Sequence, residues 1–172
     1  MCRFKSAIVL KDAKEKGGFK LLLSPWTESH SHLVTIHKLN DGKMLHFARV
    51  EYYPQDLAEA YLPEKYKLHI DEDRTPAWFD AEMEEKVSSK MDAYIKSIIV
   101  TGDVKLLIGG QFIIAPNCKI ECADAMVISA MCGGTLTEMR GGTLTEIKEC
   151  FNGIIGKISR DAKVLKDSRK KP

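Results

Sequence analysis

The sequence contains no long hydrophobic run, and no stretch reaches the roughly 18 apolar residues that a transmembrane helix needs. Its first residues, "MCRFKS", are charged and do not form the basic segment plus apolar stretch of a secretory signal. A dominant charge is also missing, because 26 basic and 24 acidic residues leave a net charge of +2. This charge is too small to indicate binding to nucleic acid or to an anionic membrane. We therefore expect a globular, cytoplasmic protein.

Paired cysteine spacing is absent, because no two cysteines form a C-x-x-C pair. The five are Cys2, Cys118, Cys122, Cys132 and Cys150. An odd number without paired spacing predicts reduced thiols instead of a disulfide framework. The histidine nearest to the later cysteines is His69, too far away for a zinc motif, so we expect no metal and no cofactor. The sequence also lacks a Walker loop, G-x-S-x-G, H-E-x-x-H and a dinucleotide fingerprint, which favours a protein without catalytic activity.

A short segment recurs in the second half of the chain. Residues 133–148 read "GGTLTEMR" and then "GGTLTEIK", and the frame of eight extends back to Thr101. Two positions of each octad are always apolar. The fourth holds Val104, Phe112, Ile120, Ile128, Leu136 and Leu144, and the seventh holds Leu107, Ala115, Ala123, Met131, Met139 and Ile147. After a three-residue insertion, "ECF", the frame resumes with Ile155 and Ile158.

This period excludes an α-helix, because each octad would be rotated by about 80° from the one before it and the apolar residues would share no face. Strands keep their parity over eight residues, but positions four and seven face the same side only if the chain bends between them. Short strands, corners and glycine at sharp turns are typical of a β-solenoid. We predict a β-helix-like solenoid built from octad repeats. An antiparallel meander with Gly-Gly hairpin turns is the alternative.

The repeat also sets the predicted domain boundaries. Residues 1–98 read as an α+β domain ending in a long helix, residues 99–167 as the solenoid and residues 168–172 as a basic tail. An open solenoid end presents unpaired backbone groups. Residues 160–172 either cap that end with charge or leave it as a dimer contact.

The N-terminal domain shows ordinary strand and helix signals. Alternating apolar residues predict strands within residues 3–11, 19–24, 43–54 and 64–73. Ser29 or Ser31 is suited to cap a short helix that ends near "NDG" at residues 40–42. Thr75 followed by Pro76 predicts the start of the long helix.

Cys2 is the first candidate for chemistry. Removal of Met1 would leave a cysteine with a free α-amino group, the nucleophile of N-terminal amidohydrolases. However, the following residues lack the glycine familiar from class II glutamine amidotransferases. His30 and His32 in "ESHSH" could act as acid-base groups or ligands, or they could be polar residues at the start of a helix.

A second group of residues is suited to binding a ligand. Arg49 and Glu51 share one face of a predicted strand, where they could flank a small polar ligand or pair with each other. Asp71 and Asp73 lie between a strand end and a helix start, where carboxylates complement the helix dipole or accept hydrogen bonds from a hydroxyl-bearing ligand. Trp78 could stack on a flat base or ring, or lie in the core.

Several segments together resemble small proteins of bacteriophages and prophages that open with "MCRFKS" and end in quasi-repeats. The matching segments are "MCRFKSAIVLKD", "ESHSHL", "FARVEYYP", "DEDRTPAWF", "LLIGGQFIIAPNC" and the "GGTLTE" octads. The resemblance covers nearly the whole chain, although this sequence has few perfect octads. It implies a phage-derived protein of the bacterial cytoplasm with a solenoid tail of variable repeat number, and it implies no activity.

From these features we predict that the chain is a non-catalytic binding protein that acts in the host cell. As counter-defence it would bind an immune protein or sequester a nucleotide-derived signal, with the solenoid as scaffold or as a means of forming a homo-oligomer. The alternative is a thiol enzyme in which His30 or His32 activates Cys2 and Arg49 with Glu51 orients the substrate. The "MC" start and the A-R-x-E at residues 48–51 also resemble SRAP domains, which crosslink abasic DNA, but the "MCGR" opening is missing. A structural phage component is a third possibility.

Overall fold

Alternating apolar side chains build a four-stranded antiparallel sheet near the N-terminus. In this computed structural model, residues 4–39, 46–71, 75–140 and 146–168 are described. The strands are β1 (Lys5–Lys11), β2 (Phe19–Leu22), β3 (Phe47–Pro54) and β4 (Tyr66–Ile70). Their order is β2-β1-β3-β4. The pairing places Ser6 opposite Glu51 and Glu51 opposite His69, so these three side chains project from one face.

Helix α1 (His30–Ile36) covers that face of the sheet. It begins as predicted, because the Ser29 side chain accepts a hydrogen bond from the His32 amide. Leu33 and Val34 are buried and pack in one cluster with apolar residues of β1, β2 and β3. Burial of this apolar stripe fixes the helix to the sheet. The predicted end of the helix, "NDG" at residues 40–42, lies outside the described residues.

Helix α2 (Ala81–Ile98) starts later than predicted. Thr75 and Pro76 do not begin it. Asp80 does, because its carboxylate accepts a hydrogen bond of 2.9 Å from the Met83 amide. An aspartate therefore serves at the helix start in the role expected of Thr75. The Lys90 ammonium lies 4.2 Å from the centroid of the Phe19 ring, which projects from the sheet face opposite α1.

The second half of the chain forms a parallel β-solenoid of about four turns. Its strands are β5 (Ile99–Val100), β6 (Val104–Ile108), β7 (Gln111–Ile114), β8 (Lys119–Asp124), β9 (Val127–Met131), β10 (Thr135–Met139), β11 (Glu146–Cys150), β12 (Ile154–Ile158) and β13 (Lys163–Asp167). They alternate between two sheets, β6-β8-β10-β12 and β5-β7-β9-β11-β13. Every described pairing among them is parallel, which confirms the solenoid and excludes the meander.

Apolar side chains stack along the solenoid in columns. Each turn supplies one strand to each sheet, so residues that lie over one another are mostly 16 apart in sequence. One column contains Val104, Ile120, Leu136 and Ile155, and another contains Leu107, Ala123, Met139 and Ile158. The middle members of the columns are buried, whereas Ile158 at one end is 44% exposed. Each fully buried Leu, Ile or Met stabilises the solenoid by roughly 1.5–3 kcal/mol.

The position predicted for the three extra residues is wrong. Ile147 pairs with Ile128 and so continues the column in which Leu144 was expected. Ile147 and Ile155 then occupy equivalent positions eight residues apart, which leaves no insertion at "ECF". The extra residues therefore lie before Ile147, while Leu144 itself is outside the described residues. Leucine and isoleucine fill such a column equally well. The amino-acid sequence alone therefore does not determine whether Leu144 or Ile147 occupies it.

The Gly-Gly pair forms a corner, as predicted. Gly134 has a φ of 75°, and a Cβ atom there would lie 2.6 Å from the Cys118 carbonyl oxygen of the turn below. Gly133 is equally constrained, since its Cβ would lie 2.9 Å from the Cα of Pro116. Only glycine lets the two stacked corners approach this closely.

The chain divides into two compact units. The N-terminal unit comprises Met1–Pro54 and Tyr66–Tyr94, and the C-terminal unit comprises Gln55–Lys65 and Ile95–Pro172. The excursion between β3 and β4 thus belongs to the C-terminal unit, where Tyr61 packs on the solenoid core. At the far end, part of the expected cap is itself a strand, β13, that pairs with β11. None of the described helices is both long and apolar enough to cross a membrane.

Candidate functional site

Three polar side chains from different elements converge on the α1 side of the sheet. His30 is the first residue of α1, Glu51 lies in β3, and Asp71 directly follows β4. The Asp71 amide donates a hydrogen bond of 2.9 Å to the Arg49 carbonyl, which extends the pairing of β3 and β4 by one residue. One nitrogen or oxygen atom from each of the three side chains lies within 4.8 Å of the others. We call His30, Glu51 and Asp71 the polar cluster.

The polar cluster is buried except on one side. His30 is 5% exposed and Glu51 is 7% exposed, whereas the Asp71 side chain is 52% exposed. The Nδ1 atom of His30 lies 2.9 Å from Oδ2 of Asp71, and its Nε2 atom lies 3.0 Å from the Val50 carbonyl oxygen. Solvent therefore reaches the polar cluster past Asp71.

These contacts define the protonation of the His30 ring. The Val50 carbonyl oxygen can only accept, so Nε2 carries a proton and donates it. Nδ1 lies at hydrogen-bond distance from Oδ2 of Asp71, so a proton is shared between these two atoms. With Nε2 bonded to Val50, the His30 ring directs Nδ1 toward the Asp71 carboxylate. This arrangement is suited to an ion pair or to the binding of a cation.

Ser6 adds a polar atom next to Glu51, its partner across the strands. Ser6 is fully buried, and its hydroxyl has no hydrogen-bond partner among the described residues. An unsatisfied buried hydroxyl costs roughly 1–3 kcal/mol, so such groups are uncommon in folded proteins.

Lys5, adjacent to Ser6, is also buried but has partners. Its ammonium donates to the Ser24 carbonyl at 2.6 Å and lies 3.3 Å from Oε1 of Glu28. Oε2 of Glu28 accepts from the Ser6 amide at 2.9 Å. Burial, together with the Glu28 charge, raises the pKa of Tyr94 to about 12. The sequence analysis did not identify Lys5 and Glu28. The one signal for Lys5 was its position inside a predicted strand, where a buried lysine needs an acidic partner.

An open acidic groove of about 820 Å³ lies on the α2 side of the sheet. The Tyr52 and Tyr66 rings stack there with their centroids 5.3 Å apart. The groove is lined by Tyr52, Tyr66, Lys67, Leu68, Ala81, Glu84, Glu85, Ser88, Ser89 and Asp92. We call it the acidic groove. Sequence reasoning missed it, although Glu84, Ser88 and Asp92 recur every four residues on one face of the predicted helix.

The remaining predicted site residues that the structure describes are not members of the polar cluster, although Arg49 shares a face of β3 with Glu51. Cys2 and Asp73 lie outside the described residues. His32 is exposed on α1 and is not among the groups of the polar cluster. The Arg49 guanidinium lies 5.1 Å from the centroid of the Phe47 ring, and half-buried Trp78 meets Phe79 edge to face.

The described cysteines of the solenoid are not suited to nucleophilic chemistry. Cys118, Cys122, Cys132 and Cys150 are buried, free thiols. Burial raises the pKa of Cys118 and of Cys122, and it raises the pKa of Cys132 to about 11. These three thiols stay protonated at neutral pH, and the thiol is a poor nucleophile compared with the thiolate.

Comparisons with known proteins identify no similar sequence or structure. The chain matches no protein-family model, and no curated protein or solved structure is significantly similar to it.

Proposed function

We propose that this is a phage-encoded, non-catalytic binding protein that acts in the host cytoplasm as counter-defence by binding a host immune protein. The acidic groove of the N-terminal unit is the observation that carries the proposal. The resemblance to phage and prophage proteins supplies the biological setting.

The charges of the acidic groove favour a protein partner over a nucleotide-derived signal. Glu84, Glu85 and Asp92 line the groove, and among the described residues Lys67 is the one cation in its lining. Carboxylates repel the phosphates of a nucleotide but attract lysine and arginine side chains. The stacked Tyr52 and Tyr66 add an aromatic surface of the kind that anchors protein interfaces. A basic segment of a host protein fits these features.

The thiol-enzyme alternative requires a base for Cys2. His30 is poorly suited to that role, because Nε2 donates to Val50 and Nδ1 faces Asp71. His32 remains as the candidate base. A Cys2→Ala variant separates the two readings: undiminished biological effect excludes the enzyme, whereas loss of effect with an intact fold excludes the pure binder.

The solenoid is proposed as a scaffold that holds the binding unit at a fixed spacing. Its described interior consists of stacked apolar side chains and buried thiols. The edge strand β13 carries Lys163, Lys166 and Asp167, and charged edge strands discourage pairing with another chain. This favours capping of that end over a dimer contact through β13. Octads as the building unit and a homo-oligomer through another part of the solenoid stay predictions.

Charge reversal in the acidic groove tests the proposal. Glu84→Lys combined with Glu85→Lys should abolish capture of the host protein from infected cells and the protection of the phage. Glu82→Lys is the matched control, since Glu82 is exposed on the same helix but does not line the groove. Equal capture by the two variants would contradict the proposal.

Native mass spectrometry of the protein from infected cells completes the test. We expect a complex with one host protein, and the same spectrum reports Met1 removal and assembly state. A retained nucleotide in place of a protein would favour the signal-sequestering form. Recovery of the protein in purified virions would favour a structural component.

A further inference from the structure

We infer that the N-terminal unit binds a divalent transition-metal ion at the polar cluster, through Nδ1 of His30 and the carboxylates of Glu51 and Asp71. The cluster and the acidic groove lie on opposite faces of the sheet. The inference is therefore independent of the proposed host partner.

The donor set suits a borderline cation. One imidazole nitrogen and two carboxylate oxygens are ligands that Mn²⁺ and Zn²⁺ accept, whereas Ca²⁺ and Mg²⁺ prefer oxygen alone. The hydrogen bond from Nε2 of His30 to the Val50 carbonyl orients the ring so that Nδ1 faces Asp71, and an ion would take the place of the proton in that contact. Metal-ligating histidines usually donate their second nitrogen to a carbonyl or carboxylate in this way.

The geometry allows an ion to enter with little rearrangement. The three ligand atoms lie within 4.8 Å of one another, and a tetrahedral ion with bonds of about 2.1 Å needs ligand atoms about 3.4 Å apart. His30 and Glu51 are held by α1 and β3. Asp71 follows the end of β4 with a half-exposed side chain, so it is the ligand best able to shift, and its Oδ2 atom would move outward from its 2.9 Å contact with Nδ1 of His30 to admit the ion.

Ser6 supplies an observation that is independent of the three ligands. Its fully buried hydroxyl lies next to Glu51 on the same face of the sheet and has no partner within the described part of the chain. An ion with three protein ligands keeps a water in its fourth position. The Ser6 hydroxyl lies on the same face of the sheet as Glu51, so that water would give it the hydrogen-bond partner that it lacks.

Mn²⁺ is the probe of choice, because Zn²⁺ has a high affinity for thiolates and any exposed cysteine would compete with a site made of nitrogen and oxygen ligands. The full chain, untagged and treated with a chelator, is titrated with Mn²⁺ while the electron paramagnetic resonance signal of the free ion is recorded. We expect one ion per chain. Asp71→Asn should weaken binding at least tenfold, and His32→Ala, the matched control on α1, should leave it unchanged.

A second readout works with the unchanged protein. Bound Mn²⁺ should broaden the nuclear magnetic resonance signals of Ser6, His30 and Glu51 selectively, whatever the folding of the variants. The inference is overturned if Mn²⁺ does not bind, if Asp71→Asn binds as tightly as the natural chain, or if the broadening centres on other residues.

Discussion

The two units differ in how their residues come together. In the C-terminal unit, side chains stack on equivalents one turn away, as Ile120 does on Val104 and Leu136 does on Ile120. In the N-terminal unit, the polar cluster joins His30, Glu51 and Asp71 from a helix and two strands without any repeat. The comparison teaches that the periodic unit buries its apolar side chains in stacked columns, whereas the polar cluster forms where the contacts follow no repeat.

Truncation of a stacked core residue should have the largest effect. Leu136 is fully buried between Ile120 and Ile155, so Leu136→Ala removes contacts with two turns and should cost roughly 2–5 kcal/mol of unfolding free energy. Leu106→Ala, at a half-exposed position of β6, should cost less than about 1 kcal/mol. Urea titration followed by circular dichroism measures both. If the two variants were equally stable, the interior column would not be what holds the solenoid together.

The alkylation rate of the buried thiols should show the next largest difference between the native and the unfolded protein. With its pKa raised to about 11, Cys132 holds about a hundredfold less thiolate near pH 8 than a thiol with the ordinary value of 9.0. Its alkylation should therefore be at least a hundredfold slower in the native protein than in urea, and it should accelerate as pH rises toward 11. Mass spectrometry of each labelled cysteine measures the rates. Fast native labelling of Cys132 would contradict the burial of this thiol.

A glycine substitution should have a smaller but specific effect. Gly134→Ala brings a Cβ atom against the Cys118 carbonyl at a left-handed φ and should cost about 2 kcal/mol. Gly102→Ala is the control, because no atom lies within 4 Å of its Cβ position, and its change should stay within about 0.5 kcal/mol. The midpoint of urea unfolding distinguishes them. Equal midpoints would mean that the stacked corners are not tightly packed.

The solenoid could be predicted because stacking leaves a periodic record in the sequence. The predicted frame of the eight-residue repeat is wrong at Ile147, because leucine and isoleucine are interchangeable inside a column. The two consecutive copies of "GGTLTE" also suggested that the spacing stays regular there. The start of α2 was also missed, because Thr75 and Asp80 are both good caps and only tertiary packing chooses between them.

The polar cluster could be predicted only in pieces. His30, Glu51 and Asp71 were each singled out from their local sequence, but about 20 residues separate each from the next. Their convergence depends on strand register and on how α1 packs, and neither is encoded in a local pattern. Ser6 gave no signal, since a serine in a strand is ordinary until its neighbours are known.

The most direct test of the stacked architecture is to lengthen the solenoid by one turn. A second copy of residues 120–135, inserted after Thr135, adds 16 residues in register with the existing columns. Because each turn contacts only its neighbours and the added turn brings its own stacked interface, the lengthened chain should unfold cooperatively, be at least as stable as the natural chain and bind Mn²⁺ unchanged. An insertion of 12 residues breaks the register and should destabilise it strongly. If the in-register insertion unfolded the solenoid, or if both insertions were tolerated equally, stacking of equivalent side chains could not be what defines the C-terminal unit.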